Sequence, residues 1–468
     1  MSKYTKLIKN TRLFAISSFG SKILTFLILP LYSFVLTTTE FGIVDIYLTS
    51  LNLLLPVVSL SIFDAVFRFV IDAETSKKKL EFFQTGITFS LLCTFISSLV
   101  TLTVSLILKD QLVNIWLFWV LLIFQMFISC LQQFVRAIDS VKIYSVSSVL
   151  YTFSYLICNI ILLVLLKYGV TGYLLSYVFA GIITSSYLII ASQSKIKQLG
   201  KFRLSLRHLK SMLRYCIPLT PNAILLWVMN TINRWFILYH CGMSSNGLYA
   251  FASKIPTMLS MLTGIFFQAW QLSAIDETKE KDRSFSNQVY SAITIVCFIV
   301  TTLILVFTRP MLEMFTEQSY WTAAEYIPFL LLGVVFQIYA SFYGTIYIAY
   351  KKTWAILVTS AVGAVISIIG NALFVPLYGV QAACITTMIS YFFVWVIRVV
   401  DTRRICIIEI NKPFVVSSTL LMILQAVTFF IFDLFIVNLF FVVAMTAITF
   451  FMELHTFSAI YRTISRKE

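Results

Sequence analysis

Apolar residues in this chain come in unbroken runs of 18–25, one after another from end to end. They do not follow the period-2 spacing of a half-buried strand or the one-faced period of a soluble amphipathic helix. At 1.5 Å per residue, each run is long enough to cross a hydrocarbon core of about 30 Å. The pattern predicts fourteen helices. Seven lie near 13–36, 41–67, 82–108, 112–135, 144–166, 170–192 and 214–239. Seven more lie near 247–272, 285–308, 322–349, 353–375, 379–398, 413–432 and 434–452, the last pair divided only by the weak turn in "FFIFDLFIVN". This is the signature of an all-α polytopic membrane protein.

Composition agrees: 59% of the residues are hydrophobic and 12% charged, against about 25% charged in soluble domains. Mean hydropathy is +0.92. The first apolar run carries Lys22 and is too long for the core of a cleavable signal. Eight cysteines lie mostly inside apolar runs without metal or redox spacing, which reads as buried small hydrophobes. The three histidines are far apart in sequence, so no metal site and no cofactor are expected.

Charge placement orients the helices. With the N-terminus in the cytoplasm, 29 of the 35 Lys and Arg fall in inside loops and termini. Lys109, Lys167 and Arg309 fall outside, and Lys22, Arg234 and Lys254 lie within helices. So lopsided a split follows the positive-inside rule and puts both termini in the cytoplasm. It accounts for the net charge of +15 as topology, so no nucleic-acid partner is needed. The basic segment "KIKQLGKFRLSLRHLKSMLR" has the character of a cytoplasmic interface helix.

A weak internal repeat divides the chain. "TTTEFGIVDIY" (37–47) pairs with "GMSSNGLYAFA" (242–252), and "KYGVTGYLLSY" (167–177) with "LYGVQAACITT" (377–387). The aligned glycines are Gly42 with Gly247 and Gly169 with Gly379, offset by 205 and 210 residues. An even number of helices per copy makes the two copies parallel, with a central cavity between them. The expected division is an N-lobe at 1–194 with helices 1–6, a basic linker at 195–213 and a C-lobe at 214–400 with helices 7–12. Helices 13–14 and a cytoplasmic tail occupy 401–468. Such an architecture favours a transporter over an enzyme.

Four stretches carry a family resemblance: 21–56, "SKILTFLILPLYSFVLTTTEFGIVDIYLTSLNLLLP"; 218–259, which contains "MNTINRWFILYHCG"; "FFQAW" at 266–270; and "YKKTWAILVTSAVGAVISIIGNALFVPLYGVQAA" at 350–383. Together they resemble the Wzx-type repeat-unit flippases, polysaccharide transporters of the superfamily that also holds the MATE exporters and the lipid II flippase. The resemblance implies a cargo, undecaprenyl-pyrophosphate-linked oligosaccharide, carried from the cytoplasmic to the outer leaflet of a bacterial inner membrane. It implies alternating access, service to O-antigen, capsule or exopolysaccharide synthesis, membrane lipids and the polysaccharide polymerase machinery as partners, and drive by a proton or sodium gradient or the membrane potential. One departure stands out: the family's helix 7 reads Asp-Arg, and this chain has Asn233-Arg234. The cation has no adjacent carboxylate, which leaves it to meet an anion.

Arg234 sits in a helix otherwise built of Leu, Ile, Trp and Phe, where a guanidinium costs about 2.5–3.5 kcal/mol or more. Lys254 lies at a matching depth on the next helix, and Lys22 near the middle of helix 1. The three form a candidate pyrophosphate cradle, the Arg as a fork and the Lys as compact charges. Snorkelling to the interface is the competing account. Asp45 is a candidate cavity acid, with an outer-end cap as the alternative. Asp64 and Arg68 have the spacing of a local salt bridge, and Glu40 is expected in solvent.

Tyr339, Tyr343 and Tyr347 share one face of helix 10 and are candidate sugar contacts, with interhelical packing as the alternative. Gln268 is a further candidate. Pro30, Pro56, Pro221 and Pro256 interrupt backbone bonding and are candidate hinges. Two other functions compete. A MATE-like ion-coupled exporter of organic cations would want a carboxylate-lined cavity. A polysaccharide polymerase or glycosyltransferase would want a large outer loop, and the loops here are short.

Overall fold

The computed structural model describes residues 28–108, 115–138, 140–193, 203–217, 219–280, 284–350, 352–404, 412–431, 437–444 and 446–447. All regular structure among them is helical. Nine helices there are long and apolar enough to cross a membrane, so the chain is a multi-pass membrane protein. Its helices are α1 Leu29–Val35, α2 Thr38–Ser59, α3 Ile62–Asp72, α4 Ser76–Leu108, α5 Ile115–Ala137, α6 Val141–Asn159, α7 Gly169–Gln193 and α8 Leu206–Cys216. They continue as α9 Leu219–Cys241, α10 Met243–Glu280, α11 Ser284–Phe315, α12 Ile327–Ala349, α13 Thr353–Thr402 and α14 Lys412–Ile431. Helix 1 of the sequence reading falls largely outside the described residues, and helix 14 lies about half outside them.

Several boundaries differ from the sequence reading for local reasons. The second helix is broken, because Leu60 and Ser61 both take left-handed backbone angles, φ 51° and 55°. Pro56 lies one turn upstream, and its carbonyl accepts from the Ser61 amide at 2.9 Å, a wider loop than the α-helical bond. Arg68 pairs forward with Asp72 at 3.3 Å rather than back to Asp64. Glu40 is not a free loop acid. It closes a capping box with Thr37, receiving the Thr37 amide at 2.9 Å while Thr37 Oγ1 accepts the Glu40 amide at 3.2 Å.

By compactness the chain divides into two units, Met1–Trp227 and Val228–Glu468, and the division falls inside α9. In the first, α3, α4, α5 and α8 share a core that includes Val66, Phe83, Phe134 and Met212. In the second, α12 packs against α10, α11 and α13. The repeated glycines hold equivalent places. Gly42 and Gly247 are each the fifth residue of their helix, α2 and α10. Gly169 and Gly379 both open a helix with positive φ, 53° and 63°. At Gly379, ψ is −145°, so α13 is two helices joined at a sharp break.

Arg398 was counted with the inside loops, but it is buried in the second half of α13, 7% exposed. Its guanidinium donates to Thr359 Oγ1 at 3.0 Å, Ser360 Oγ at 3.1 Å and the Ala340 carbonyl at 2.7 Å. Gly344 makes room, since a Cβ there would sit 3.0 Å from Arg398 Nη1. The residue thus ties both halves of α13 to α12. Moving it from loop to helix leaves the charge asymmetry intact.

The break at Gly379 occupies a region of backbone space that side chains strain to enter, at about 1–3 kcal/mol. Gly379→Ala is therefore expected to lower the thermal unfolding midpoint of the purified protein by several degrees. Gly264→Ala, where an added Cβ meets nothing within 4 Å, leaves it unchanged or higher. Equal midpoints for the two variants would refute the strain.

Candidate functional site

α9 and α10 form a hairpin closed by Gly242 at φ 86°. Arg234 projects from α9 about 10 Å from this turn, seven residues at helical rise. On the same face one turn earlier stands Asn230. Opposite them, Tyr249, Ser253, Pro256, Thr257 and Ser260 form one stripe of α10 at helical spacing. Leu330, Gly333, Val334 and Gln337 supply the matching stripe of α12, and Thr387 and Tyr391 come from the second half of α13. Together they enclose a pocket of about 280 Å³ within the second unit.

The pocket has both polar and apolar walls, and among the described residues Arg234 is the cation that lines it. Arg234 Nη1 donates to the Asn230 carbonyl at 3.1 Å and Nη2 to Ser253 Oγ at 3.3 Å. The guanidinium carbon lies 5.4 Å from the Tyr249 ring centroid, within range of a cation–π contact. Beside it, Asn230 Oδ1 accepts from Tyr391 OH at 2.5 Å and from Gln337 Nε2 at 3.4 Å, and Gln337 also donates to Tyr391 at 3.1 Å. Among the described residues no carboxylate, thiol or imidazole lines the pocket. It has hydrogen bonding and one fixed charge, but no nucleophile–base pair. Among the described residues no group of His, Cys, Asp or Glu fits a metal ion.

Next to Arg234, on the helix face turned into the bundle, Asn233 is 0% exposed. Its amide nitrogen donates to Tyr249 OH at 3.0 Å and to Thr387 Oγ1. Its oxygen accepts from Asn371 Nδ2 at 2.8 Å and Ser367 Oγ at 3.3 Å. Four bonds to two neighbouring helices use all the bonding capacity of a carboxamide. This neutral node anchors α9, α10 and α13 behind the pocket, and it carries no proton that titrates.

The other sequence candidates fall elsewhere. Lys22 lies outside the described residues. Lys254 is half-buried at the level of Ser253 but does not line the pocket. Asp45 is buried in the first unit. Gln268 lies on α10, with its side chain outside the described residues. Tyr339, Tyr343 and Tyr347 are on the pocket's own helix, α12, but none lines the pocket. Tyr339 and Tyr343 pack on Tyr290 at ring separations of 5.7 and 5.6 Å, and Tyr347 OH donates to Asp401 at 2.7 Å.

Among the prolines, Pro256 lines the pocket from the interior of α10, and Pro56 precedes the α2–α3 break. Pro30 and Pro221 sit in first turns of described helices, where the missing N–H breaks no internal bond. Tyr249, Ser253 and Tyr391 were missed. The available signal for the α10 stripe was its spacing, which becomes legible once Arg234 fixes which face matters.

Fold and site together define an all-helical, multi-pass membrane protein with a cation-bearing pocket in its second unit. A family model described as polysaccharide biosynthesis protein matches residues 7–271, and the chain belongs to that family. The MatE family model matches residues 278–373. Among solved structures, the chain is similar to the lipid II flippase MurJ in an inward closed conformation, at 14% identity and TM-score 0.73, over 97% of this chain and 99% of that one. It is also similar to an inward-facing multidrug resistance MATE family transporter of the MOP superfamily, at 14% identity and TM-score 0.63, covering 83% and 97%. A third, a MOP superfamily transporter from Pyrococcus furiosus described as having a binding pocket of reverse polarity, matches at 13% identity and TM-score 0.52, covering 85% and 95%. No curated protein sequence matches.

Asn233→Asp replaces two donated hydrogen bonds with acceptors and puts a titratable group beside Arg234. The variant is expected to change the pH dependence of transport relative to the native chain. Asn233→Leu leaves Tyr249, Thr387, Ser367 and Asn371 without their partner and lowers stability by about 2–4 kcal/mol. Transport–pH profiles and denaturation curves check the two expectations, and superimposable profiles for Asn233→Asp and wild type would contradict the first.

Proposed function

We propose that this protein flips undecaprenyl-pyrophosphate-linked oligosaccharide units from the cytoplasmic to the outer leaflet of a bacterial inner membrane, by alternating access. The units would feed O-antigen, capsule or exopolysaccharide synthesis, with the polymerase machinery taking the product. Membership in the polysaccharide biosynthesis protein family supports this reading, as does the likeness in fold to a lipid II flippase. The observation that carries it is the Arg234 pocket, one fixed cation ringed by neutral hydroxyl and amide groups.

That chemistry suits a phosphate-bearing head with sugars attached. The guanidinium meets an anion as a fork, and Asn230, Gln337, Tyr391, Ser253 and Thr257 meet hydroxyls. The grip is modest by design of charge, one cation against a diphosphate, so the cargo can leave. Lys254 and Lys22 belong to the same proposal as further cations along the route, and Asp45 as a buried acid of the first unit. Tyr339, Tyr343, Tyr347 and Gln268 play no part in this pocket's contacts and stay in the proposal only as flanking groups.

The competing functions fit less well. A cation exporter would meet repulsion at Arg234 and no carboxylate in the pocket. A polymerase or glycosyltransferase would call on acid–base groups, and the family match to a polysaccharide biosynthesis protein and the fold likeness to a flippase favour the transporter reading instead. Coupling to protons or sodium, or drive by the membrane potential, is proposed to act away from residue 233.

Arg234→Ala is expected to abolish surface polysaccharide and to pile up the lipid-linked intermediate in the cytoplasmic leaflet, with Arg234→Lys retaining part of the activity. Surface polysaccharide and leaflet-resolved intermediate, compared at equal protein levels, check this. Normal export by the alanine variant would refute the assignment.

A further inference from the structure

Between Asp139 and Asp276 the sequence has no acidic residue and eleven Lys or Arg. Seven of these eleven lie in the segment 195–214, which leads into and forms α8. α8 is fixed to the first unit. Leu209, Met212 and Cys216 are buried in the core of α3, α4 and α5. The His208 ring lies 4.5 Å from that of Phe82 on α4, and the Ser205 amide donates to Thr85 Oγ1 at 3.4 Å. These contacts hold α8 beside the first three turns of α4, which begins with the basic run Lys77, Lys78 and Lys79.

Around the axis of α8 the residues sort into three stripes. The buried stripe is Leu209, Met212 and Cys216, spaced i, i+3, i+7. Arg207, Lys210 and Arg214 repeat that spacing on the opposite side and are all exposed. Along one border of the basic stripe stand Leu206 and Ile217, 74% and 50% exposed. The three cations make no ion pair among the described residues; the helix's one acidic contact is His208 with Glu81, at 4.0 Å on the other border.

Packing within the protein explains the first stripe only. The positive-inside rule accounts for the sign of the second but not for an exposed apolar border beside it. Cations flanked by exposed Leu and Ile suit a bilayer interface, with the aliphatic groups in acyl chains and the charges at headgroup phosphates. An acidic protein partner would satisfy the charges and leave Leu206 and Ile217 uncovered.

We propose that α8 is an interfacial helix that binds anionic phospholipid headgroups through Arg207, Lys210 and Arg214, with Leu206 and Ile217 inserted beside them. It holds the segment 203–217 of the first unit against the membrane on its basic side. A juxtamembrane cation near an anionic surface adds to affinity by about fivefold per charge.

Native mass spectrometry of the full-length protein, released from vesicles of mixed phosphatidylglycerol and phosphatidylcholine, tests the proposal by counting retained lipids. Wild type is expected to keep phosphatidylglycerol over phosphatidylcholine. The triple variant Arg207→Gln, Lys210→Gln, Arg214→Gln loses phosphatidylglycerol by about fivefold per charge removed, with phosphatidylcholine unchanged. These exposed positions lie outside the core, so circular dichroism should match wild type. Equal retention of the two lipids by wild type would overturn the proposal, as would undiminished phosphatidylglycerol in the triple variant. Displacement of phosphatidylglycerol by inorganic pyrophosphate at matched ionic strength would assign the stripe to a cargo headgroup instead, and would also overturn it.

Discussion

A guanidinium keeps its proton at any physiological pH, and this chain holds one on α9 about 10 Å from the turn of the α9–α10 hairpin. In hydrocarbon such a charge must be given polar company. The second unit supplies it from three directions: the Asn230 carbonyl on its own helix, Ser253 on the next, and the face of Tyr249. Each of these is neutral. These three contacts solvate the charge with protein groups. A carboxylate at residue 233 would have neutralised it; a carboxamide there ties three helices together and adds no charge.

The scaffold around the pocket follows from the need to satisfy backbone and polar side chains without water. Ser and Thr hydroxyls bond back to carbonyls of their own helices, as Thr387 does to Ala383 and Thr257 to Ser253. Breaks fall where proline or glycine permits them, at Leu60–Ser61 after Pro56 and at Gly379 after Pro376. The second buried guanidinium, Arg398, is handled differently from Arg234. Three acceptors enclose it completely, so it braces α12 and α13 and is not presented to a ligand.

Much of this was legible in the sequence, because a bilayer demands long apolar runs and sorts cations by side. The spans, the repeated glycine turns and the anomaly of Arg234 all follow from those two constraints. Which face of a helix meets which neighbour did not follow. Tyr339 and Gln337 are two residues and about 200° apart, and only the packed structure shows that Gln337 faces the pocket and Tyr339 the core. Arg398 was read as a loop residue because "RVVDTRR" resembles a basic helix end, whereas its helix continues to Thr402. Arg68 had acids four residues away on both sides, and spacing alone cannot choose between them. Tyr391 carried no signal at all, being one aromatic in an aromatic-rich helix.

The central claim is that an intramembrane cation is retained because an anionic head passes beside it. Proteoliposomes containing the purified protein, offered one oligosaccharide on two polyprenyl lipids, test it most directly. One lipid carries the sugar through a diphosphate and the other through an uncharged linkage. The account predicts rapid appearance of the diphosphate-linked glycan in the opposite leaflet and little of the uncharged one. Equal rates for the two would contradict it.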